Sequence, residues 1–402
     1  MNRNPRQPVV LYVDYSIGFG GSGKSLSMVM PLLTGISQLV ITSQDPALAR
    51  SYFPSVERWS FRRVVNYRSK ERLLARAPGG VAGWLTQKVF AMIDLVAWLA
   101  NSTRLTLLLL TKRVDLLHLN NGFIPREAFT AARIARVPVV VHLRGFYEDG
   151  RLIEAGTYQR VSRVIAVSDA VGESLRGTGI PRSRITTIYD PVDASGMMRA
   201  AAERARIRAA HGISDHEVLI GIFGRIVEWK GQVVFAQAAV EAMRQNGDVR
   251  AIIVGDASSG SGWYLESLRA FVASSGFATK FTFTGFQPNV EAHYAAVDIV
   301  VHASTSPEPF GMVVPEAMAA GRPIIATDAG GPREVIEQGI DGVLVPLGSV
   351  MEMTAAMTML ASDSALRKRM GAAGRVKAHE LFNTERCAKS VSAVYDALLS
   401  PR

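Results

Sequence analysis

Short apolar runs rich in Val, Ile and Leu alternate with helix-length stretches from one end of the chain to the other. A first series is Pro8–Asp14, Gln38–Ser43, Asp115–Asn120, Val137–Gly145, Arg163–Ser168 and Arg184–Asp190. A second is Val218–Arg225, Val249–Asp256, Phe281–Phe286, Asp298–Ser304, Arg322–Asp328 and Gly342–Pro346. The runs are apolar throughout rather than alternating, as expected of strands buried on both faces of a parallel sheet with helical crossovers. The rhythm predicts two open, parallel α/β sheets. Between the two series, Asp193–His211 is polar and rich in Ala and Arg, a composition suited to a linker plus a helix. We therefore expect domains over 1–195 and 196–380. Thr384–Leu399 is helical in pattern, and a terminal helix over 381–402 is expected to cross back to the first domain.

One region departs from this rhythm. Residues 62–76 carry Arg62, Arg63, Arg68, Lys70, Arg72 and Arg76 against a lone Glu71, and the apolar stretch Val89–Leu110 follows. That stretch is interrupted by Asp94, Asn101 and Arg104. Each charge near the middle of a spanning helix would cost about 2.5–3.5 kcal/mol, so no membrane span is expected. Two readings remain open: a buried helix beside a solvated basic face, or a basic and an apolar segment lying together on an anionic membrane surface.

Composition sharpens this picture in three ways. With 402 residues, 48% hydrophobic and 20% charged, the chain has material for two cores and is not intrinsically disordered. The single cysteine, Cys387, excludes an internal disulfide and favours a reducing compartment. The opening residues lack the long apolar run of a secretory leader, so a cytoplasmic location is expected. The net charge of +10 is unevenly placed, with 25 basic against 14 acidic residues in 1–195. Such a field suits an acidic membrane leaflet or an anionic substrate, and equally serves solubility alone.

Three motifs carry chemistry. Gly18–Ser25 reads GFGGSGKS, the spacing of a phosphate-binding loop, in which Lys24 would reach terminal phosphates and Ser25 a Mg²⁺ ion. No later strand ends in the acidic pair such a triphosphatase would need. The other reading is a glycine-rich strand-to-helix turn in which Gly20 and Gly21 let backbone approach a ligand. In the second half, Arg225 and Lys230 follow the strand ending at Gly224, where two cations can neutralise a diphosphate or simply be solvated. Further on, Glu308 and Glu316 flank Gly311, and Pro315 fits only the first turn of a helix. Carboxylates so placed suit the vicinal hydroxyls of ribose and hexose.

Taken in order, G-R-x(4)-K-G (from Gly224), V-G-D (Val254–Asp256), F-x-G-F (Phe283–Phe286) and E-P-F-G-x(3)-P-E (Glu308–Glu316) followed by Gly330-Gly331 make a specific pattern. It resembles the retaining, nucleotide-sugar-dependent glycosyltransferases of family 4, also called group 1. That resemblance is strong over 215–350 and weaker but continuous before it. It departs from the family at Ile188–Asp193, where Asp190-Pro191 replaces Asn-Gly.

The resemblance implies an α/β fold of the GT-B type, two Rossmann-like parallel-sheet domains facing across a cleft. Arg225 and Lys230 would bind the donor diphosphate, and Glu316 would accept from the ribose hydroxyls. Glu308 would contact the transferred sugar, and Phe310 and Gly311 would offer backbone amides. Phe286 lies at the base-contacting loop. Gly20 and Gly21 would approach the donor, and His142 would face the sugar across the cleft. The implied reaction moves a sugar to a glycan or polyprenyl-linked acceptor at the inner membrane face. The chain has no D-x-D pair, and its seven histidines lack metal-ligand spacing, so neither metal nor cofactor is expected. Nucleic acid is not expected as a partner. A phosphate-loop ATPase or kinase, and a sugar-nucleotide-binding protein without turnover, are the alternatives.

Overall fold

The computed structural model describes residues 6–14, 21–42, 50, 52–54, 56–60, 80–123, 126–147, 161–258 and 260–400. The chain divides into two α/β units. One comprises 1–167, 171–188 and 388–402, and the other 168–170 and 189–387. The main crossing falls after Ile188, a few residues before position 195. The helix Thr384–Leu399 contributes its residues from Ala388 onward to the first unit.

The first unit holds seven parallel strands: β1 (Val9–Asp14), β2 (Ser37–Thr42), β3 (Glu57–Ser60), β4 (Leu116–Leu119), β5 (Val139–Leu143), β6 (Arg163–Ala166) and β7 (Ile185–Thr187). Their order is β3-β2-β1-β4-β5-β6-β7. The second unit holds six parallel strands: β8 (Val218–Phe223), β9 (Val249–Val254), β10 (Phe281–Gly285), β11 (Ile299–His302), β12 (Ile324–Thr327) and β13 (Gly342–Val345). Their order is β10-β9-β8-β11-β12-β13.

All twelve apolar runs contain a strand. The thirteenth strand, β3, has the sequence ERWS and among the described residues pairs only with β2, and its polar letters gave no strand signal. The central strands are sealed on both faces. Every residue of β8 is buried, as is every residue of β4, β5, β11 and β12. Burying one Val, Leu or Ile side chain is worth about 1.5–3 kcal/mol, which is why uniformly apolar runs select a parallel sheet clad in helices.

Each sheet reverses its strand order once, between β1 and β4 in the first and between β8 and β11 in the second. Ligands of open α/β sheets bind beyond the carboxyl ends of the strands at such a reversal. The polar residues that close β8 and β11 therefore stand where a ligand is expected.

The helix Gly80–Thr111 covers the apolar stretch and is buried over part of its length. Its later turns bury Asn101, Leu105, Thr106 and Leu109 and pack against the helix Arg126–Ala135. Its earlier turns leave Trp84, Leu85, Val89, Met92, Val96 and Leu99 exposed. Trp84–Thr111 is long and apolar enough to cross a membrane by length and composition, with mean hydropathy 1.4 and 39% of that window buried. The basic stretch 62–76 lies outside the described residues.

Candidate active site

In the second unit the loops after β8 and β11 meet. Gly231, with φ +69°, ends the single helical turn Glu228–Lys230, and a Cβ there would collide with the carbonyl oxygen of Ala303 just past β11. Only glycine permits this close approach in the left-handed region. The amide of Thr305 donates to the carbonyl of Trp229 at 2.8 Å and ties the two loops together.

The result is an ion pair. Lys230 Nζ donates to both oxygens of Glu308, at 2.8 and 2.7 Å, and lies 4.3 Å from the centroid of the Trp229 ring. Ser304 Oγ donates to Glu308 Oε2 at 2.9 Å, and His302 Nε2 lies 3.3 Å from the same oxygen. His302 Nδ1 is in turn 3.3 Å from the hydroxyl of Thr327 on β12. Glu308 is 8% exposed and His302 3%. Burial pushes the Glu308 carboxyl up, but the His302 hydrogen bond and the Lys230 charge outweigh it and hold it down to about 2. It is a carboxylate at any working pH.

The backbone of this loop is fixed from the other side by Gly330-Gly331. Gly330 bridges to Glu308, and the amide of Gly331 donates to the Glu308 carbonyl at 2.9 Å. Phe310 is buried, stacked on Tyr189 with centroids 5.6 Å apart and edge-on to Phe382. Its ring anchors the loop, so only its main chain can face a ligand. Gly311, at φ +77°, turns the chain into the helix Val313–Ala319. Pro315 sits in its first turn and Glu316 one residue later. Glu316 accepts a 2.8 Å hydrogen bond from the hydroxyl of Tyr294. Tyr294 is fully buried and stacked at 3.9 Å on Phe223, the last residue of β8. Burial, then the Glu316 charge, push its phenol well above the usual range, so it remains a hydrogen-bond donor.

Arg225 is exposed. Its carbonyl accepts from Gln232 at 2.8 Å, and no described residue bonds its guanidinium. Phe286 follows β10 and is 75% exposed. The structure thus gathers Lys230, Glu308, Phe310 and Gly311 in one place, with Arg225 and Glu316 on the elements beside them. No group of three His, Cys, Asp or Glu residues suited to a metal occurs among the described residues.

Three expected residues belong to the first unit. Gly21 is exposed and opens the helix Gly21–Val29, while Gly20 lies outside the described residues, as does the start of the GFGGSGKS motif. His142 is buried on β5, with Nδ1 at 3.3 Å from the Arg144 guanidinium. Arg144 also donates to the side-chain oxygen of Asn120 at 3.1 Å, and Asn120 to Asp14 at 3.1 Å.

His302, Tyr294 and Arg144 were not singled out from sequence. His302 and Arg144 had a signal, a polar residue closing an otherwise apolar strand. Tyr294 had none beyond its place in the helix Val290–Ala296.

Comparison with known proteins places these elements in a family. The model described as Glycosyl transferases group 1 matches residues 203–377, and that described as Glycosyltransferase Family 4 matches 84–195. Together they cover well over half of the chain. A lipopolysaccharide core biosynthesis mannosyltransferase of Rhizobium leguminosarum is 30% identical over 60% of this chain and 66% of its own length. A D-inositol 3-phosphate glycosyltransferase of Segniliparus rotundus is 31% identical over 65% of this chain and 62% of its own. The chain therefore spans a little under two thirds of the length of these relatives. Among solved structures, the Anabaena protein HepE in complex with UDP-glucose aligns with TM-score 0.74 and 23% identity, over 97% of this chain and 99% of that one. That likeness shows the fold, which is of the GT-B type. On its motifs, its two parallel-sheet units and these matches, the chain belongs to the group 1 glycosyltransferases.

Proposed function

We propose that the protein transfers a sugar from a nucleoside diphosphate sugar to a glycan or lipid-linked acceptor, with retention at the anomeric carbon. The observation that carries this is the pairing of Lys230 with Glu308 at the carboxyl ends of β8 and β11, with Arg225 exposed beside them. Arg225 and Lys230 receive the diphosphate, and Glu308 a hydroxyl of the transferred sugar. The main chain at Phe310 and Gly311 and the Tyr294-oriented Glu316 hold sugar and ribose. Phe286 offers its exposed ring to the base, and Gly21 its main chain to the donor. As the bond from the anomeric carbon to the diphosphate oxygen breaks, charge gathers on that oxygen, and fixed cations stabilise it without reorganisation. The acceptor oxygen bonds to the same face of the carbon, and its proton passes to the departing phosphate oxygen. No metal or cofactor is needed in this scheme. The mannosyltransferase relative, named for lipopolysaccharide core synthesis, supports a cell-surface glycan or glycolipid as the product.

Thermal unfolding with UDP, GDP, ADP, their sugars and ATP tests the donor class. A ligand that binds only the native state adds about 2.7 kcal/mol at 100 times its dissociation constant. A rise with one nucleoside diphosphate and its sugar is expected. A rise with ATP alone would replace this reading with a phosphate-loop enzyme.

The acceptor-side charge extends the proposal to a cytoplasmic enzyme held peripherally at the inner membrane face. The exposed apolar turns around Trp84–Leu99 follow directly after the basic residues 62–76. Each Lys or Arg near an anionic surface adds about 1 kcal/mol, screened within a Debye length. The protein is expected to sediment with anionic vesicles at low salt and to be released at high salt. Neutralising Arg62, Arg63, Arg68 and Arg72 should weaken this, and equal binding to neutral vesicles would count against it.

A further inference from the structure

The first sheet carries a buried group of rings that the donor chemistry leaves unused. Tyr12 on β1, His118 on β4 and His142 on β5 lie within one cluster, joined by Tyr395 from the C-terminal helix. The His118 and His142 rings meet edge-on with centroids 5.5 Å apart. The Tyr395 hydroxyl is 2.7 Å from His118 Nδ1 and 3.3 Å from the Tyr12 hydroxyl. His142 Nδ1 faces the Arg144 guanidinium at 3.3 Å, and Arg144 is itself held by the carbonyl and side-chain oxygens of Asn120. His142 Nε2 is buried and has no partner among the described residues.

We infer that Arg144 is a positioning residue that fixes His142 as the neutral Nε2–H tautomer, so that His142 offers the substrate a proton donor and never a base. The inference rests on the transfer reaction proposed above. A guanidinium has donors only, so the ring nitrogen that faces it must accept. In a neutral imidazole the proton then sits on the other nitrogen. A second proton on Nδ1 would set N–H against N–H and cation against cation. Two groups facing His142 act in this sense, Arg144 after its own strand and His118 from β4, while the neutral phenols Tyr12 and Tyr395 lie behind His118. Asn120 links Arg144 to Asp14. Burial first, then Arg144, then His118 hold the His142 imidazolium well below its ordinary range.

A buried donor without a partner is costly to leave unmade, and native proteins keep few of them. An oxygen of the bound sugar or acceptor would satisfy this one. With Nε2 protonated and Nδ1 occupied, the ring has no lone pair for the acceptor's proton. Removal of that proton therefore falls to the leaving phosphate.

The test uses the full-length protein labelled with ¹⁵N-histidine, the His142 signals being assigned by their absence in His142→Gln. In the wild type the Nε2–H tautomer should persist unchanged from pH 5.5 to 8. In Arg144→Met the ring should populate both tautomers, and Arg144→Lys should restore the wild-type pattern. His142→Gln, which keeps an N–H near the Nε2 position, should retain about tenfold more activity than His142→Asn, the worth of one hydrogen bond. A wild-type Nδ1–H tautomer, or a wild-type ring that populates both tautomers as the Arg144→Met ring does, would overturn the inference. If Arg144→Met does not fold, the wild-type spectrum decides alone. Absence of any sugar transfer would instead remove the proposed function and leave the tautomer measurement standing.

Discussion

Replacing Arg225 by alanine is expected to lower kcat/KM for the donor by about 10²–10³-fold while leaving the unfolding free energy within about 0.5 kcal/mol of the wild type. Both halves of this expectation come from the same geometry. Arg225 is exposed, its guanidinium bonds no described residue, and it follows β8 at a strand reversal where the fold leads a ligand. A side chain so placed contributes little to folding. In the transfer its charge would stand where the departing diphosphate accumulates its own, and removing one such fixed donor typically costs 10²–10³-fold, roughly 3–4 kcal/mol. Arg225→Lys should recover part of the loss, because it keeps the charge and forfeits the planar fork. Steady-state kinetics alongside denaturant unfolding check the point. A loss under about tenfold, or an equal loss of folding free energy, would make Arg225 a solvated surface charge and move the diphosphate elsewhere.

How much of this was legible beforehand depends on where each signal lives. Uniformly apolar strands announce themselves locally, which is why twelve of the thirteen were visible and the polar edge strand Glu57–Ser60 was not. The helix Gly80–Thr111 shows the limit of the same signal: its letters are apolar along both halves, yet burial is concentrated in its later turns. The individual site residues were legible because the ordered motifs from Gly224 to Glu316 resemble a family pattern. Their partnership was not. Lys230 and Glu308 are 78 positions apart, and the sequence reading assigned one to phosphate and the other to sugar. Only the adjacency of β8 and β11 makes them a pair, with Ser304 and His302 as further partners. Tyr294 was invisible for the same reason, since its contact with Glu316 joins two helices far apart in the chain.

That pairing separates Lys230 from Arg225 in its expected phenotype. Lys230→Met should lose activity and also destabilise the protein, by about 3–5 kcal/mol at neutral pH, because it strands a buried carboxylate. The pH dependence identifies the cause. In the wild type, Glu308 is held down to about 2 from an ordinary 4.5, so its ionisation adds stability fully present above pH 4.5. This contribution is lost as pH falls toward 2, and the interval corresponds to roughly 3 kcal/mol. Subtracting the unfolding free energy of Glu308→Gln from that of the wild type at pH 7, 4 and 3 isolates it from the other carboxylates. In the Lys230→Met background burial is no longer opposed by the lysine, the Glu308 carboxyl moves up, and the same subtraction should change less across that interval. Identical pH profiles in the two backgrounds would mean that His302 and Ser304 alone hold the carboxylate. Lys230 would then add nothing to the ionisation of Glu308, and the ion pair would have no part in preparing the site.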